Sequence, residues 1–365
     1  MIHVVVGTRA QLLKLAPVML ECERRGLRWR WVYTAQHRET IDGSLRMFGL
    51  PPPDYVVVRW STEAKSLGLM ARWLLRMFVA LPRSRSILAG ETGPRSVVVT
   101  HGDTFTTWLA ALMGRLTRTK VMHVEAGLRS FNLRKPFPEE LNRLITFRLA
   151  SFFAAPGPEA VANLERYGRE TIDTHGNTQI DVLRFGLERV GAADIEIPAE
   201  PYAVASLHRY ENVFDRDRLE RIVALLESIS RDRLLVFVRH PVTDAQLRKT
   251  GLASRLEANE RILLLPRLEY FPFLALIRTA AFVVSDGGGN QEELSYLGVP
   301  TLLLREETER HEGLGENVVL SRFDPATIEA FLRDPGGFRR PERLPDARPS
   351  AAIVDFLERR GFGVA

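Results

Sequence analysis

Cysteine is nearly absent from this chain, with Cys22 alone among 365 residues. One thiol cannot build an internal disulfide framework, and such poverty suits a reducing compartment, so a cytoplasmic protein is expected. Long apolar runs are lacking too. No stretch of about 18 uncharged apolar residues occurs, so no membrane-spanning helix and no stable membrane insertion are expected. The nearest approach, residues 67–81, is interrupted by Arg72 and Arg76. Its apolar residues Leu67, Met70, Leu74, Met77 or Phe78, and Leu81 recur at helical spacing, which predicts a packed amphipathic helix. The opening MIHVVVGTRA has no basic and apolar regions of a secretory signal and reads as a strand running into a turn. Zinc-finger spacing and a platform of mixed aromatic and basic residues are both missing, so no nucleic-acid partner is expected. P-loop spacing and the GxGxxG dinucleotide fingerprint are missing as well. Charge of one sign is only slightly in excess, at +5 with a pI near 9.5, which would suit a phosphate-bearing substrate.

What is present is an ordinary soluble composition, 45% hydrophobic and 26% charged, in a chain long enough for two domains. Short apolar runs alternate with helical patterns almost throughout, the signature of parallel sheets built from βα units. Strand-like runs fall at 3–6, 29–33, 55–58, 97–100, 121–124 and 152–155, and again at 202–206, 234–238, 262–265 and 281–284. Helices are expected over 11–25, 67–81, 214–229, 243–256, 270–279 and 351–360. Between residues 167 and 177 the chain changes character, with Gly168, a short strand and then His175-Gly176-Asn177-Thr178. The expected domains are therefore 1–170, joined by a C-terminal helix at 350–365, and 171–349. Both are read as α/β.

Polar clusters collect where these strands end, which in open parallel sheets is where ligands bind. Residues 97–143 are the richest stretch. One strand delivers His101-Gly102-Asp103, the next delivers His123 and Glu125-Ala126-Gly127, and after Pro136-Phe137-Pro138 the pair Glu139-Glu140 opens a helix that also carries Arg143. One acidic residue after a strand is often merely a helix cap. Successive clusters flanked by histidine and arginine instead match a site that moves protons. Gly7-Thr8-Arg9, followed by a helix carrying Lys14, makes an anion cradle. The run Thr34-Ala35-Gln36-His37-Arg38-Glu39 ends another strand. Late in the chain Asp286-Gly287-Gly288-Gly289 leads into a helix with Glu293. The turn would offer backbone N–H groups to a phosphate, and the carboxylate would accept from a ribose diol.

With these residues in view, the chain resembles the bacterial, non-hydrolysing UDP-N-acetylglucosamine 2-epimerase family. The matching segments are GTR…KLAPV (7–18), AQHRE (35–39), HGDT (101–104), HVEAGLRS (123–130) and PEELNR (138–143). They continue in order through GNTQIDVL (176–183), HRYEN (208–212), YFPF (270–273), GGNQEEL (288–294) and TER (308–310). The resemblance implies two Rossmann-like domains of the glycosyltransferase-B type with the active site in the interdomain cleft. It implies inversion of C2 in a UDP-sugar by elimination and re-addition of UDP through a 2-acetamidoglucal, with no metal and no other cofactor, in a homodimer. It carries catalytic roles onto Asp103, Glu125, Glu139 and His208. Substrate binding falls on Arg9, Lys14, Gln36, Arg143, Phe273, Gly287, Gly288, Gly289, Glu293 and Arg310.

The departures from the family pattern are local. The family's GTRPE reads GTRAQ, so Ala10 and Gln11 replace a rigid turn and a carboxylate. Its DSGG reads Asp286-Gly287-Gly288-Gly289, without the serine hydroxyl, and its HxNP reads His240-Pro241-Val242 after Arg239. Rival functions are a hydrolysing epimerase releasing free N-acetylmannosamine, a transferase on the same fold, and an inactive nucleotide-sugar-binding module. The KLAPV segment favours the non-hydrolysing branch. A transferase needs no base pair at C2, and a dead module has no use for the retained carboxylates.

Overall fold

The computed structural model describes residues 1–36, 41–59, 67–133, 137–192, 194–308 and 310–364. His37, Arg38, Glu39, Pro136 and Glu309, singled out above, lie outside the described residues. The chain divides into two compact units, residues 1–182 with 346–365, and residues 183–345.

The first unit is built on seven strands: β1 (Ile2–Val6), β2 (Trp29–Tyr33), β3 (Tyr55–Val56), β4 (Val97–His101), β5 (Lys120–Val124), β6 (Phe152–Ala155) and β7 (Glu170–Asp173). They lie in the order β3-β2-β1-β4-β5-β6-β7, and every pairing is parallel. Helices cover both faces of such a sheet, so its central strands read as unbroken apolar runs, and all residues of β1 and β4 are buried. The second unit repeats the plan with β8 (Tyr202–Ser206), β9 (Leu234–Val238), β10 (Ile262–Leu265), β11 (Phe282–Ser285), β12 (Thr301–Leu303) and β13 (Val318–Leu320). Their order is β10-β9-β8-β11-β12-β13, again all parallel. In each sheet the strand order reverses once, between β1 and β4 and between β8 and β11. Those reversals open the crevices in which doubly wound folds place their ligands.

The units exchange later than the expected 170/171 boundary. The reason is pairing, since β7 registers along its whole length with β6 and so belongs to the first sheet. The chain returns to that unit at the end. Helix Pro349–Arg359 packs against helix Arg9–Arg24, with the Phe356 ring 5.2 Å from that of Phe152 and Arg25 ion-paired to Asp355 and to Glu358 at 3.0 Å.

One expected helix is broken. The pattern over 243–256 forms helices Pro241–Thr250 and Ala253–Glu257, because Gly251 at φ 76° turns the chain left-handed and ends the first. The pattern over 214–229 forms one continuous helix, Arg216–Asp232, started by Asp215, whose side chain accepts from the Arg218 N–H at 2.9 Å, and a short helix, Tyr210–Val213, precedes it. Helix Leu67–Ala80 buries Trp73 and Met77 and leaves Leu75, Phe78 and Val79 exposed. Among the described residues no helix is long and apolar enough to cross a membrane.

Candidate functional site

In the first unit the ends of β1, β4 and β5 are fastened to one another by polar side chains. Gly7 follows β1 so closely against its neighbours that a Cβ there would lie 1.9 Å from Thr106 Oγ1 and 2.6 Å from Thr34 Oγ1. Only glycine fits. Thr8 caps helix Arg9–Arg24 by accepting from the Gln11 N–H at 3.2 Å. Gln11, anticipated only as a lost carboxylate, is a buried clamp. Its Oε1 accepts from the Gly7 N–H at 2.9 Å, while its Nε2 donates to the His101 carbonyl at 2.7 Å and to Thr107 Oγ1 at 3.1 Å. A carboxylate could not donate to a carbonyl, so the amide suits this position. Arg9 and Gln36 are buried nearby in the chain's first two βα turns, and Gln36 Oε1 accepts from Thr106 Oγ1 at 3.1 Å.

Glu125 is the focus of this arrangement. It ends β5 at φ 62°, a left-handed conformation costing a residue with a side chain roughly 1–3 kcal/mol. Three nitrogens converge on its Oε2: Lys14 Nζ at 2.5 Å, Asn177 Nδ2 in a short hydrogen bond, and His101 Nε2 at 3.5 Å. Lys14, expected at a phosphate, is thus paired inside its own unit. His123, completely buried on the same strand, donates from Nε2 to the Gly102 carbonyl at 2.7 Å. Burial pushes its basicity down to about 4, so its imidazole is neutral and serves to hold the turn before Asp103.

Asp103 Oδ2 lies 2.5 Å from Arg143 Nη2, on the helix Glu139–Leu149. Asn142 Nδ2 donates to the Asp103 carbonyl at 2.7 Å, so adjacent residues of one helix grip both ends of the aspartate. Of the glutamate pair, Glu139 is half-buried at the helix start, whereas Glu140 is fully buried. Glu140 accepts from Arg129 Nε at 2.5 Å and from the Ser130 N–H at 3.1 Å, and lies 3.5 Å from Arg143. Burial raises its proton affinity, but the Ser130 N–H and Arg129 outweigh that and hold the carboxyl below its ordinary range. Burial likewise works against the Arg143 charge, and Asp103, Glu125 and Glu140 together overcome it.

In the second unit the buried carboxylate of Asp286 ties the end of β11 to the turn after β8. It accepts from the His208 N–H at 3.0 and 3.2 Å, the Arg209 N–H at 3.0 Å and Asn212 Nδ2 at 3.0 Å. Asp286 therefore shapes the His208 turn. The glycine turn beside it is closed instead by Ser285 Oγ, which accepts from the Gly287 N–H at 3.2 Å. His208 Nδ1 lies 3.4 Å from Asp286 Oδ1, and the ring is 5.4 Å from that of His240. Burial lowers the basicity of His208, against the opposing pull of Asp286. Helix Gly288–Leu297 starts at Gly287, where a Cβ would come within 2.9 Å of His208 Cε1. Before Gly289 there is open space, so the first N–H groups of that helix can meet an anion. Glu293 is buried on the same helix, Arg310 is paired to Glu292 at 2.6 Å, and Phe273 is half-buried on helix Tyr270–Thr279.

The structure thus gathers Lys14, Asp103, Glu125 and Arg143 in the first unit, and His208 with the Gly287–Gly289 turn in the second. Sequence reasoning assigned no site role to Asn177, His101 or Glu140 in the first unit, nor to Asn212 in the second. Each stood inside a motif already quoted, GNTQIDVL, HGDT, PEELNR and HRYEN, but what each would touch lay elsewhere in the chain.

Two doubly wound parallel α/β units, each with a polar cluster at its strand-order reversal, define a fold of the glycosyltransferase-B type. Residues 20–335 match the family described as UDP-N-acetylglucosamine 2-epimerase. The chain is 32% identical over 346 residues to the UDP-N-acetylglucosamine 2-epimerase of Methanocaldococcus jannaschii, covering 90% of each chain. The crystal structure of that archaeal UDP-GlcNAc 2-epimerase in complex with UDP-GlcNAc and UDP is similar at a TM-score of 0.82, with 28% identity over 98% of this chain and 99% of that one. The UDP-GlcNAc 2-epimerase of Neisseria meningitidis bound to UDP-GlcNAc is similar at 0.83, again with 28% identity and the same coverage. The chain belongs to the UDP-N-acetylglucosamine 2-epimerase family.

Proposed function

We propose that the protein inverts C2 of a UDP-N-acetylhexosamine, converting UDP-N-acetylglucosamine to UDP-N-acetylmannosamine or acting on a close diacetamido relative. The C2 proton is taken by a base while the C1–O bond to UDP breaks. The C–H electron pair becomes the C1=C2 bond of a 2-acetamidoglucal, and UDP leaves with the electrons of the C–O bond. UDP then returns to C1 as C2 is protonated from the opposite face. The observation that carries this reading is the pairing of Asp103 and Glu125, at the ends of neighbouring strands, each with a cationic nitrogen at 2.5 Å. The C2 proton is poorly acidic, so positioned acids and bases are needed on both faces of the sugar. Asp103, Glu125 and Glu139 supply them, with His208, whose basicity burial lowers against the pull of Asp286.

The second unit holds UDP, with phosphates at the start of helix Gly288–Leu297 and the ribose on Glu293. Arg9, Gln36, Arg143, Phe273 and Arg310 complete the binding set, and no metal or nicotinamide takes part. Retaining UDP keeps its return effectively intramolecular. The enzyme works in the cytoplasm, in polysaccharide biosynthesis, as a homodimer. The exposed Leu75, Phe78 and Val79 on one helix support self-association, and the near absence of cysteine supports a reducing compartment.

The test is incubation of purified protein with UDP-N-acetylglucosamine and its diacetamido relatives in D₂O. Deuterium at C2 of the recovered UDP-sugars is expected. Free N-acetylmannosamine with stoichiometric UDP would mean hydrolysis instead, and UDP-sugar binding without exchange would mean an inactive binding module.

A further inference from the structure

Asn177 belongs to none of the groups given a role so far, yet much of the local backbone is spent on presenting it. The two residues before it, His175 and Gly176, stand at φ 54° and 150°, and the loop is pinned by Thr174 Oγ1, within 2.9 Å of the Ala155 carbonyl and 2.8 Å of that of Gly176. A Cβ on Gly176 would come 2.4 Å from Ile180 Cδ1. The side chain is 6% exposed, and its orientation is fixed by its own contacts. Oδ1 accepts from the Gln179 N–H at 3.1 Å, at the start of helix Gln179–Leu187. An amide that accepts on that side must turn its NH₂ to the other, and there Nδ2 meets Glu125 Oε2.

We infer that Asn177 is a positioning residue for Glu125, acting together with Lys14. It fixes the rotamer of a carboxylate whose backbone is already held left-handed, and it donates to the ionised form of that carboxylate. The inference rests on the proposed role of Glu125 in proton transfer. The other charged or titratable groups facing Glu125 are Lys14 from helix Arg9–Arg24, His101 from β4, and Arg143 from helix Glu139–Leu149, with His123 on its own strand. Lys14 and His101 share Oε2 with Asn177, but of the three only Asn177 has its own orientation fixed by a second hydrogen bond, from the Gln179 N–H. A donor to the charged form favours ionisation, and a second carboxylate in its place opposes it.

The discriminating substitution is Asn177→Asp. Aspartate caps helices as well as asparagine does, so a merely structural residue would tolerate it. A positioning residue would not, because the new carboxylate faces Glu125. Carbon NMR of glutamate-labelled full-length protein, with the Glu125 signal assigned by Glu125→Gln, reads the carboxyl directly. Asn177→Asp is expected to move its titration midpoint upward by about one pH unit or more, a tenfold change in proton affinity. In the exchange assay kcat should fall on the order of tenfold or more with KM within about twofold, while Asn177→Ser, which keeps a capping hydroxyl, should fall less. An unmoved Glu125 titration in Asn177→Asp overturns the inference. So does a loss of kcat in Asn177→Ser equal to that in Asn177→Asp. If the wild-type protein exchanged no deuterium, the functional reading would fall, and the NMR titration would still decide the role of Asn177.

Discussion

Glu140→Gln offers the sharpest test of the first unit's polar architecture. The wild-type carboxylate is fully buried, with Arg129 Nε at 2.5 Å on one oxygen and the Ser130 N–H at 3.1 Å on the other. Glutamine has nearly the same shape but only one acceptor. Whichever donor keeps it, the other faces an NH₂ group, and Arg129 and Arg143 lose a counter-charge. Breaking a buried pair by removing one partner costs about 3–5 kcal/mol, a large share of a typical stability of about 5–15 kcal/mol. With a urea slope near 2 kcal/mol per molar, the unfolding midpoint should fall by roughly 1.5–2.5 M. The assay reports on the right unit, because the tryptophans among the described residues, Trp29, Trp31, Trp73 and Trp108, belong to it. Adding Arg129→Met to a Glu140→Leu background should recover part of the loss, since an apolar replacement of both partners leaves fewer orphaned charges. A Glu140→Gln midpoint within about 0.3 M of wild type would refute the reasoning, for it would mean the pair is not desolvated.

Other outcomes follow from the same geometry. Asp103→Asn and Glu125→Gln should each reduce C2 exchange by about 10²-fold or more while the protein still folds, and near-wild-type turnover in both would remove them from the mechanism. Glu293→Ala should weaken UDP binding, read by calorimetry, by roughly 1.5–3 kcal/mol, and an unchanged affinity would place the ribose elsewhere. His123 gives a pH signature, because burial lowers its folded value to about 4 from an ordinary 6.5. The unfolded chain takes the proton first, so the stabilisation is complete above 6.5 and is lost as pH falls from there to about 4, by about 3 kcal/mol. His123→Gln should flatten that part of the stability profile, and an equally steep decline in the variant would assign it to other groups.

Much of this architecture is legible in the residues themselves. The Val-rich runs of β1, β4 and β5 are buried on both faces and announce parallel strands, and their polar ends announce the site. Short elements are not legible in the same way. β12 (Thr301–Leu303) and β13 (Val318–Leu320) have three residues each, too few to show a period, and exist only because β11 offers an edge to β12 and β12 offers one to β13. Partnerships across the chain are equally silent. Lys14 reads as a cation beside a glycine turn and so as a phosphate ligand, whereas its partner Glu125 lies 111 positions away. Asn177, 52 positions beyond Glu125, reads as part of a connector. Asp286 reads as a cap for the glycine turn, yet its acceptors are spent on a backbone turn 77 and 78 residues earlier. Chemical type is local and can be read in order. Pairing is a property of the folded sheet.

The return of residues 346–365 to the first unit has a consequence for synthesis. The second unit is one continuous stretch, 183–345, and can fold as soon as it leaves the ribosome. The first unit has its whole sheet by β7, but must wait through the making of its partner for the helix that covers Arg9–Arg24. Until then the faces of Phe152 and Arg25 meant for Phe356, Asp355 and Glu358 stand uncovered. The Arg28 N–H, later donated to the Gly363 carbonyl at 2.7 Å, stands unpaired beside β2. The portion made first is thereby the portion finished last.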